Sequence, residues 1–243
     1  MSTQGDRHFA GRLCVITGAS RGIGAALACR LGAAGAKLVL LARTVGGLEE
    51  VDDAVRRAGG EQAVLVPHDL RDHDGLDRLG ASLYERFGRV DMVIGCAAEL
   101  GALSPLGHVK PEVWGNVFEV NATANYRLLR SLDPLLRRSE AGLAMFLTDR
   151  AAQNHRAYWG PYAASKAALE SFVLTYAAEV VKTGIRVDLL RPAPTRTALR
   201  AKAFPGEASD RLASADSTAD SIVNFLSSSE IPTGRIIDIS PKG

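Results

Sequence analysis

The chain has 243 residues, of which 47% are hydrophobic and 23% are charged, and its formal net charge is +2. This composition is ordinary for a soluble globular protein, and one α/β domain can exceed about 200 residues. The near-neutral charge argues neither for nor against nucleic acid, and no run of Lys or Arg marks a binding face. No apolar run reaches the roughly 18 residues of a membrane helix, and Met1–Phe9 lacks the apolar core of a signal peptide. We therefore expect neither a nucleic-acid nor a membrane partner.

The cysteines of the chain are Cys14, Cys29 and Cys96. Their odd number and their spacing fit neither a disulfide framework nor a zinc site, so no metal site is predicted. Cys14 lies in a predicted strand and Cys96 ends another, where each is expected to be a small buried apolar residue. These observations predict a location in the reducing cytoplasm.

The first predicted element is a strand that leads into a glycine-rich turn. Arg12–Thr17 is a short apolar run, Gly18–Gly24 holds three glycines, and Ala25–Leu31 is rich in helix-forming residues. Glycines allow a tight turn and a close approach of the backbone to a phosphate, and the helix N-terminus offers free N–H groups. The arrangement predicts a dinucleotide site; a merely structural turn is the alternative.

Strands and helices alternate through the rest of the chain. Further strands are predicted at Lys37–Ala42, Gln62–Val66, Val90–Gly95, Leu143–Thr148, Ile185–Leu190 and Arg235–Ile239. Further helices are predicted at Gly46–Ala58, Asp72–Phe87, Pro111–Arg138, Pro161–Thr183 and Ala215–Ser227. This alternation predicts an α/β fold: one Rossmann-type doubly wound domain over residues 1–243, with a parallel sheet of about seven strands and helices on both faces. Residues 1–10 are predicted to form a polar tail, and the ligand crevice is expected beyond the carboxyl ends of the strands.

Tyr162 and Lys166 form a candidate catalytic pair. Residues four apart on a helix are neighbours on one face. An ammonium beside a phenol lowers the phenol pKa from its reference value of about 10, and a phenol tuned in this way can exchange a proton with an alcohol or carbonyl oxygen. The alternative is a surface Lys above a half-buried Tyr.

The two motifs together resemble the short-chain dehydrogenase/reductase family. Thr17–Gly24 matches every fixed position of that family's T-G-x-x-x-G-x-G pattern, and Tyr162 with Lys166 matches its Y-x-x-x-K pattern. The resemblance runs from about Arg12 to Ile239. Within the family, Trp159–Tyr162 and Pro194–Pro205 look like the YciK-type bacterial oxidoreductases.

The resemblance implies roles for particular residues. It makes Tyr162 and Lys166 catalytic, with Asn121 positioning Lys166 through a water, and it places Asp69 on the adenine amino group and Thr197 on the nicotinamide carboxamide. From the sequence alone, Asp69 can equally be a solvated turn residue, and Asn121 can be a helix residue with local hydrogen bonds. The implied cofactor-binding residues are Gly18, Ser20, Arg21, Gly22, Ile23, Gly24, Arg43, Asp69, Tyr162, Lys166 and Thr197.

The resemblance also implies a substrate lid and self-association. Residues 193–217 would form the lid, with a plain surface connection as the alternative. Helices Pro111–Arg138 and Pro161–Thr183 would pack across a two-fold axis in a homodimer or homotetramer. Alanines on the second helix permit close approach, but they also fit packing against the chain's own sheet.

The end of the second strand favours NADP over NAD. NAD-binding chains place a carboxylate there for the ribose 2′-hydroxyl, whereas an Arg accommodates a 2′-phosphate. Here Arg43 follows the strand and Arg21 lies in the glycine turn. Two guanidiniums suit a phosphate, which Arg binds as a fork; two solvated arginines are the alternative.

One catalytic position departs from the family pattern. The family places a Ser thirteen residues before the Tyr, and Asp149 stands there instead. Thr148 is a hydroxyl, but a shift of one residue sends its side chain to the other face of a strand. An ionised Asp only accepts hydrogen bonds, would repel a developing alkoxide and would raise the pKa of Tyr162. The family's N-N-A-G and P-G patterns are also altered, to Gly95–Ala98 and Pro192-Ala193.

Two functions remain open at this point. The first is an NADP-dependent oxidoreductase on an alcohol or carbonyl, with Asp149 recruited for an unusual substrate or held protonated. The second is a cofactor-binding protein with little turnover that acts as a sensor or an assembly partner. The small-molecule substrate is not identified, and the residues expected near it are Glu99, Leu100, Gln153, His155, Trp159 and Arg191–Arg196.

Overall fold

The computed structural model describes residues 8–228 and 233–240. Seven parallel strands form one sheet in the order β3-β2-β1-β4-β5-β6-β7. The strands are β1 Leu13–Thr17, β2 Lys37–Ala42, β3 Val64–Pro67, β4 Met92–Gly95, β5 Leu143–Leu147, β6 Arg186–Pro192 and β7 Ile236–Ile239. Each predicted strand is present, and its bounds differ from the prediction by at most two residues.

The helices cover both faces of this sheet. They are α1 Gly22–Ala33, α2 Val45–Arg57, α3 His73–Phe87, α4 Pro111–Phe118, α5 Ala124–Leu136, α6 Ala151–Asn154, α7 Gly160–Glu179, α8 Ala198–Ala203 and α9 Ala215–Ser227. One apolar core lies under α1, α2 and α9, and a second lies under α3, α5 and α7. The strands are buried from both sides, which explains why they read as continuous apolar runs instead of alternating ones. The predicted doubly wound fold is confirmed.

The sheet order locates the crevice. β1 has β2 on one side and β4 on the other, so the direction of winding reverses between them. Loops that leave adjacent strands at such a switch point diverge to opposite faces, which opens a crevice at the carboxyl ends of the strands. The glycine turn follows β1, and Tyr162 begins the first turn of α7 after β5, so both motifs face this crevice.

The long helix predicted at Pro111–Arg138 is divided by a single π-helical turn at Glu119–Thr123. Such turns add one residue to the helix and are frequent at functional sites. The predicted lid is also less irregular than expected, because it contains α8 and the short 3₁₀ turn Ser209–Arg211. Across the described residues, no helix combines the length and apolar character required to cross a membrane.

The predicted polar tail at residues 1–10 is wrong at its end. Residues 1–7 lie outside the described residues, but Phe9 is 1% exposed and packs in the core under α1. Its amide donates to the carbonyl oxygen of Ala34, and Arg12 lies over its ring. Burial of the ring removes its apolar surface from water, which stabilises this end of the chain against the core.

The third glycine of the turn allows α1 to approach β1. A Cβ at Gly24 would lie 2.4 Å from the Gly18 carbonyl oxygen, whereas a Cβ at Gly46, near the start of α2, would meet nothing within 4 Å. We expect Gly24→Ala to lower the free energy of unfolding by about 1–3 kcal/mol through overpacking. The matched Gly46→Ala should raise it by roughly 0.5–1 kcal/mol through reduced backbone entropy. Urea denaturation measures both, and equal unfolding free energies for the two variants would contradict this packing.

Candidate active site

The glycine turn has the backbone that a phosphate cradle needs. Gly18 and Gly22 have φ values of +65° and +59°, which glycine adopts without strain. A Cβ at Gly18 would come within 2.8 Å of the Ala97 backbone, and one at Gly22 would lie 3.4 Å from the methyl group of Thr197. α1 begins at Gly22, so its first N–H groups are directed toward the crevice. These features fit a dinucleotide pyrophosphate.

A cavity of about 1260 Å³ occupies the crevice at the carboxyl ends of the strands. It brings together nearly all the residues predicted for the site, namely Gly18, Ser20, Arg21, Gly22, Ile23, Gly24, Arg43, Asp69, Asp149, Tyr162, Lys166 and Thr197. Asn121 is fully buried behind the wall of this cavity. Of the residues expected near the substrate, Glu99, Leu100, Trp159 and 192–196 line the cavity.

Three of the expected substrate residues do not line this cavity. Gln153 turns toward β6, where its side-chain oxygen accepts from Arg191, 3.1 Å away, and Arg191 itself pairs with Asp238. His155 borders a separate cavity and has a φ of 47°. Tyr158 has a φ of 74°, so the link between α6 and α7 holds two side chains in the left-handed region, an uncommon backbone that marks strain. No residue pattern in this link signals the strain in advance.

One end of the cavity carries exposed positive charge. Arg21 and Arg43 both line it, and neither side chain makes a hydrogen bond or an ion pair with the described part of the chain. Asp69 is engaged instead with Arg71, which donates from its backbone N at 3.0 Å and from its guanidinium at 3.1 and 2.5 Å. These hydrogen bonds lower the pKa of Asp69 to about 2, so the carboxylate is ionised. An adenine amino group would therefore have to compete with Arg71 for the carboxylate of Asp69.

Tyr162 and Asp149 interact directly. Tyr162 is 3% exposed, and burial followed by the charge and a side-chain hydrogen bond of Asp149 raises the pKa of the phenol well above its usual range. Burial and Asp149 therefore disfavour the phenolate that the Tyr-Lys spacing alone would favour, and the effect of Asp149 has the direction that its position in the sequence predicts. The cause is physical: burial and a carboxylate both disfavour a second negative charge.

Lys166 is buried and close to Tyr162 without touching its hydroxyl. Its Nζ lies 5.9 Å from the centroid of the Tyr162 ring and donates to the carbonyl oxygen of Leu147 at 2.7 Å. Burial lowers the pKa of Lys166 to about 8, while the carboxylates of Asp149 and Glu170 oppose that shift. A Lys with this pKa changes charge near physiological pH.

The π turn places Asn121 between two elements. Its side-chain oxygen accepts from the Glu99 amide at 2.7 Å, and its side-chain nitrogen donates to the Glu99 carbonyl at 2.9 Å and to the Ser165 hydroxyl at 2.9 Å. Asn121 therefore joins the loop after β4 to α7, one residue before Lys166. This positions Lys166 through Ser165 and the helix backbone.

Thr148 points away from the reacting groups. Its hydroxyl donates to Glu170 at 2.7 Å, and Glu170 also accepts from Gln153 at 3.3 Å. Glu170 is 7% exposed and lies one turn after Lys166 on α7. The alternation of faces along β5 thus turns Thr148 to one side and Asp149 to the other, as expected for consecutive residues at a strand end. Glu170 lies four residues after Lys166, and this helical spacing is the sequence signal that its carboxylate lies near Lys166.

α8 and the residues after it cover the substrate side of the cavity. Thr197 caps the start of α8 by accepting from the amide of Arg200 at 3.2 Å. Phe204, which follows the helix, packs against Trp159 with ring centroids 5.5 Å apart, and Trp159 meets Tyr162 edge-on at 5.8 Å. Lys202 and Glu99 lie 3.6 Å apart across the opening. Apolar packing and one ion pair therefore connect this segment to the reacting groups.

Residues 12–208 match the sequence profile of the family described as short chain dehydrogenase. The chain belongs to the short-chain dehydrogenase family. A relative, the uncharacterized oxidoreductase YciK of Escherichia coli strain K12, is 35% identical over 203 residues, which are 83% of this chain and 80% of that protein. The YciK-type resemblance of the sequence is confirmed by this match.

Two solved short-chain dehydrogenases share the fold closely. The oxidoreductase yciK from E. coli has a TM-score of 0.90 and 31% identity, and the match covers 98% of both chains. A short chain dehydrogenase from Shigella flexneri 2a strain 301, complexed with NADP, has a TM-score of 0.91 and 31% identity over 96% of this chain and 98% of that one. As a short-chain dehydrogenase, the chain belongs to an NAD(P)-dependent oxidoreductase family that acts on small molecules.

The charge state of Lys166 gives a prediction for cofactor binding. Because the pKa of Lys166 is about 8, roughly half of the side chains are neutral at about that pH. A dinucleotide phosphate brings negative charge into the cavity and should raise this pKa, so binding should take up as much as about half a proton. Calorimetric titration with NADP in two buffers of different ionisation enthalpy measures the uptake.

The matched variants for this titration are Lys166→Met and Lys37→Met. Lys37 is an exposed residue at the start of β2, outside the cavity. We expect Lys166→Met to lose the proton uptake and Lys37→Met to retain it. Unchanged uptake in Lys166→Met would show that another group titrates.

Proposed function

We propose that this short-chain dehydrogenase binds NADP(H) and transfers hydride between the cofactor and a small-molecule substrate through Tyr162 and Lys166, with Asp149 in place of the usual Ser. The observation that carries this proposal is the convergence of the glycine turn, two free guanidiniums and the Tyr162–Asp149 pair on one cavity. The complex of the S. flexneri relative with NADP supports the choice of cofactor.

Arg43 and Arg21 favour the 2′-phosphate form of the cofactor. No carboxylate follows β2 directly, so nothing there matches the ribose 2′-hydroxyl of NAD. The nearest acid at this end of the cavity, Asp69, is held by Arg71 and also senses the charge of Arg43. A guanidinium without a partner binds a phosphate more readily than one already paired.

The chain's own residues would divide the chemistry as follows. When bound, the reduced nicotinamide supplies a hydride to the substrate carbon. Tyr162 enters the step protonated, and its hydroxyl would give a proton to the substrate oxygen as the hydride reaches the carbon. Lys166 holds positive charge beside Tyr162 when protonated, and Asn121 fixes its helix against the loop after β4. Trp159 and Phe204 exclude water from that end.

A second function is favoured by the same pair. A phenol whose pKa is raised by burial and by Asp149 is a poorer proton donor to an alkoxide than one whose pKa is lowered by a Lys. A chain of this kind could bind NADP with little turnover on carbonyls and act as a sensor or an assembly partner. Measurable oxidation of NADPH with a carbonyl or related acceptor separates the enzyme from this alternative.

Self-association into a homodimer or homotetramer is also proposed. On α7, Ala167 is exposed and Ala163, Ala164 and Ala168 are half-buried, while Ser165 and Leu169 face inward. The small side chains thus lie on the outer face of the helix and not against the chain's own sheet, which supports close approach of a second copy.

Arg43→Ala should weaken NADPH binding more than NADH binding, because only NADPH carries the 2′-phosphate. One charge-assisted contact is worth roughly 1.5–3 kcal/mol, or about ten-fold or more in affinity. Fluorescence titration with both cofactors measures the ratio, and Arg57→Ala, at the exposed end of α2, is the control. An equal loss of affinity for both cofactors would show that Arg43 does not contact the 2′-phosphate.

Asp149→Ser should raise NADPH oxidation with generic ketones and aldehydes, because a hydroxyl donates to the substrate oxygen and removes a charge that opposes an alkoxide. The gain should be largest at neutral to alkaline pH, where an Asp is least able to hold a proton. Asp149→Asn separates charge from hydrogen bonding, because the amide donates but is neutral. Steady-state rates across pH give the comparison, and identical rates in wild type and Asp149→Ser would place Asp149 outside the reacting centre.

Ala167→Arg should shift the protein toward a 25.8 kDa monomer, because a long charged side chain prevents close approach at the exposed alanine face. Light scattering at micromolar concentration measures the mass. Ser82→Arg, at an exposed position of α3, is the control for added charge. A wild-type protein that is already monomeric would exclude self-association at this face.

A further inference from the structure

Asp149 is a carboxylate without a cation of its own at the reacting end of the cavity. In the described residues it forms no ion pair, and its side chain accepts from the Ala151 amide at 2.7 Å and interacts with the Tyr162 hydroxyl. It is half-buried and lines the cavity beside Tyr162 and Lys166. A carboxylate in this position attracts a cation and repels an anion.

The arginines nearest to Asp149 in the sequence and in the sheet form ion pairs with another carboxylate, Asp238. Arg191 lies 2.8 Å from Asp238 and also donates to Gln153, and Arg150 pairs with Asp238 at 3.1 Å. Lys166 senses the charge of Asp149, but its Nζ donates to the Leu147 carbonyl, and Glu170 on its own helix acts on it too. Among the described residues Asp149 therefore has no ion pair, and its carboxylate remains open to a ligand in the reacting end of the cavity.

This charge conflicts with carbonyl reduction and suits a nitrogen substrate. Reduction of a carbonyl builds negative charge on oxygen, which Asp149 opposes. Reduction of a C=N bond proceeds through the protonated iminium, whose positive charge a carboxylate stabilises relative to the neutral imine. In the reverse direction, an amine that loses a hydride develops positive charge on nitrogen, which the same carboxylate stabilises.

We propose that the substrate of this site is an imine, reduced as its iminium to a secondary amine, with Asp149 as the counter-ion of the nitrogen and Tyr162 as a hydrogen-bond donor to that carboxylate. This inference rests on the proposed function, because the reductant is NADPH. The hydride forms a new C–H bond, the π pair of C=N becomes the nitrogen lone pair, and the nicotinamide is oxidised by two electrons. The product nitrogen then takes a proton from water.

Binding of two matched probes tests the counter-ion directly, without turnover. Tetrahydroisoquinoline is a secondary amine that is protonated at neutral pH, and tetralol is a neutral alcohol of nearly the same shape. Calorimetry measures the affinity of each for the protein, alone and saturated with NADP. We expect the amine to bind about ten-fold or more tightly than the alcohol, as for one charge-assisted hydrogen bond.

Three variants make that measurement specific. Asp149→Asn and Asp149→Ser should each remove the preference for the amine. Asp53→Asn, an exposed residue of α2 outside the cavity, should keep it. Equal affinities in the wild type, or no detectable binding of either probe, would overturn the proposal, as would a preference that survives in Asp149→Asn.

Turnover separates this inference from the proposed function. The wild type should oxidise NADPH faster with dihydroisoquinoline than with tetralone, and Asp149→Ser should reverse that order. Faster reduction of tetralone by the wild type would overturn the imine assignment while the proposed oxidoreductase function stands. Failure of NADP to bind would overturn the proposed function itself, whereas the amine preference of the protein alone would still be measured.

Discussion

The contact between the Asp149 carboxylate and the Tyr162 hydroxyl is the interaction on which the proposed chemistry of this short-chain dehydrogenase depends. It keeps the phenol protonated, because burial and a neighbouring negative charge act in the same direction on its pKa. It also leaves a carboxylate at the place where a substrate's reacting atom would lie. Outside this pair, the glycine turn matches the family's dinucleotide pattern, while Gly95–Ala98 and Pro192-Ala193 depart from the family patterns.

The fold brings this pair together from two consecutive parts of the chain, the end of β5 and the start of α7, with only the short helix α6 between them. Asp149 lies two residues after the end of β5, and Tyr162 lies in the first turn of α7. α7 packs on the core under the sheet, with Lys166 bound to the carbonyl of Leu147 at the end of the same strand. A buried Lys bonded to a strand-end carbonyl fixes the rotation of α7, and so the position of Tyr162 one turn earlier. Rearrangement of the pair would therefore require movement of a packed helix.

Much of this architecture follows from patterns that are local in the sequence. Buried parallel strands read as apolar runs, and the glycine turn has a spacing set by the phosphate that it accommodates, so β1 and the start of α1 were predicted well. Residues whose conformation depends on partners distant in the sequence could not be predicted in the same way. Asn121 in the π turn forms hydrogen bonds with Glu99 and Ser165. Phe204, after α8, packs on Trp159, and Phe9 packs in a core to which several helices contribute. The sequence predicts the effect of Asp149 on the pKa of Tyr162, but the larger effect of burial could not be predicted, because helical spacing gives the neighbour Lys166 and no measure of burial.

The most direct measurement is an NMR titration of Tyr162 in isotope-labelled protein, in the wild type and in Asp149→Asn, with the exposed Tyr126 as an internal reference. The account predicts that Tyr162 of the wild type remains protonated well beyond the ordinary phenol pKa of about 10, and that Asp149→Asn ionises at lower pH because the neighbouring negative charge is gone. Tyr162 titrating at the same pH in both proteins would contradict the account.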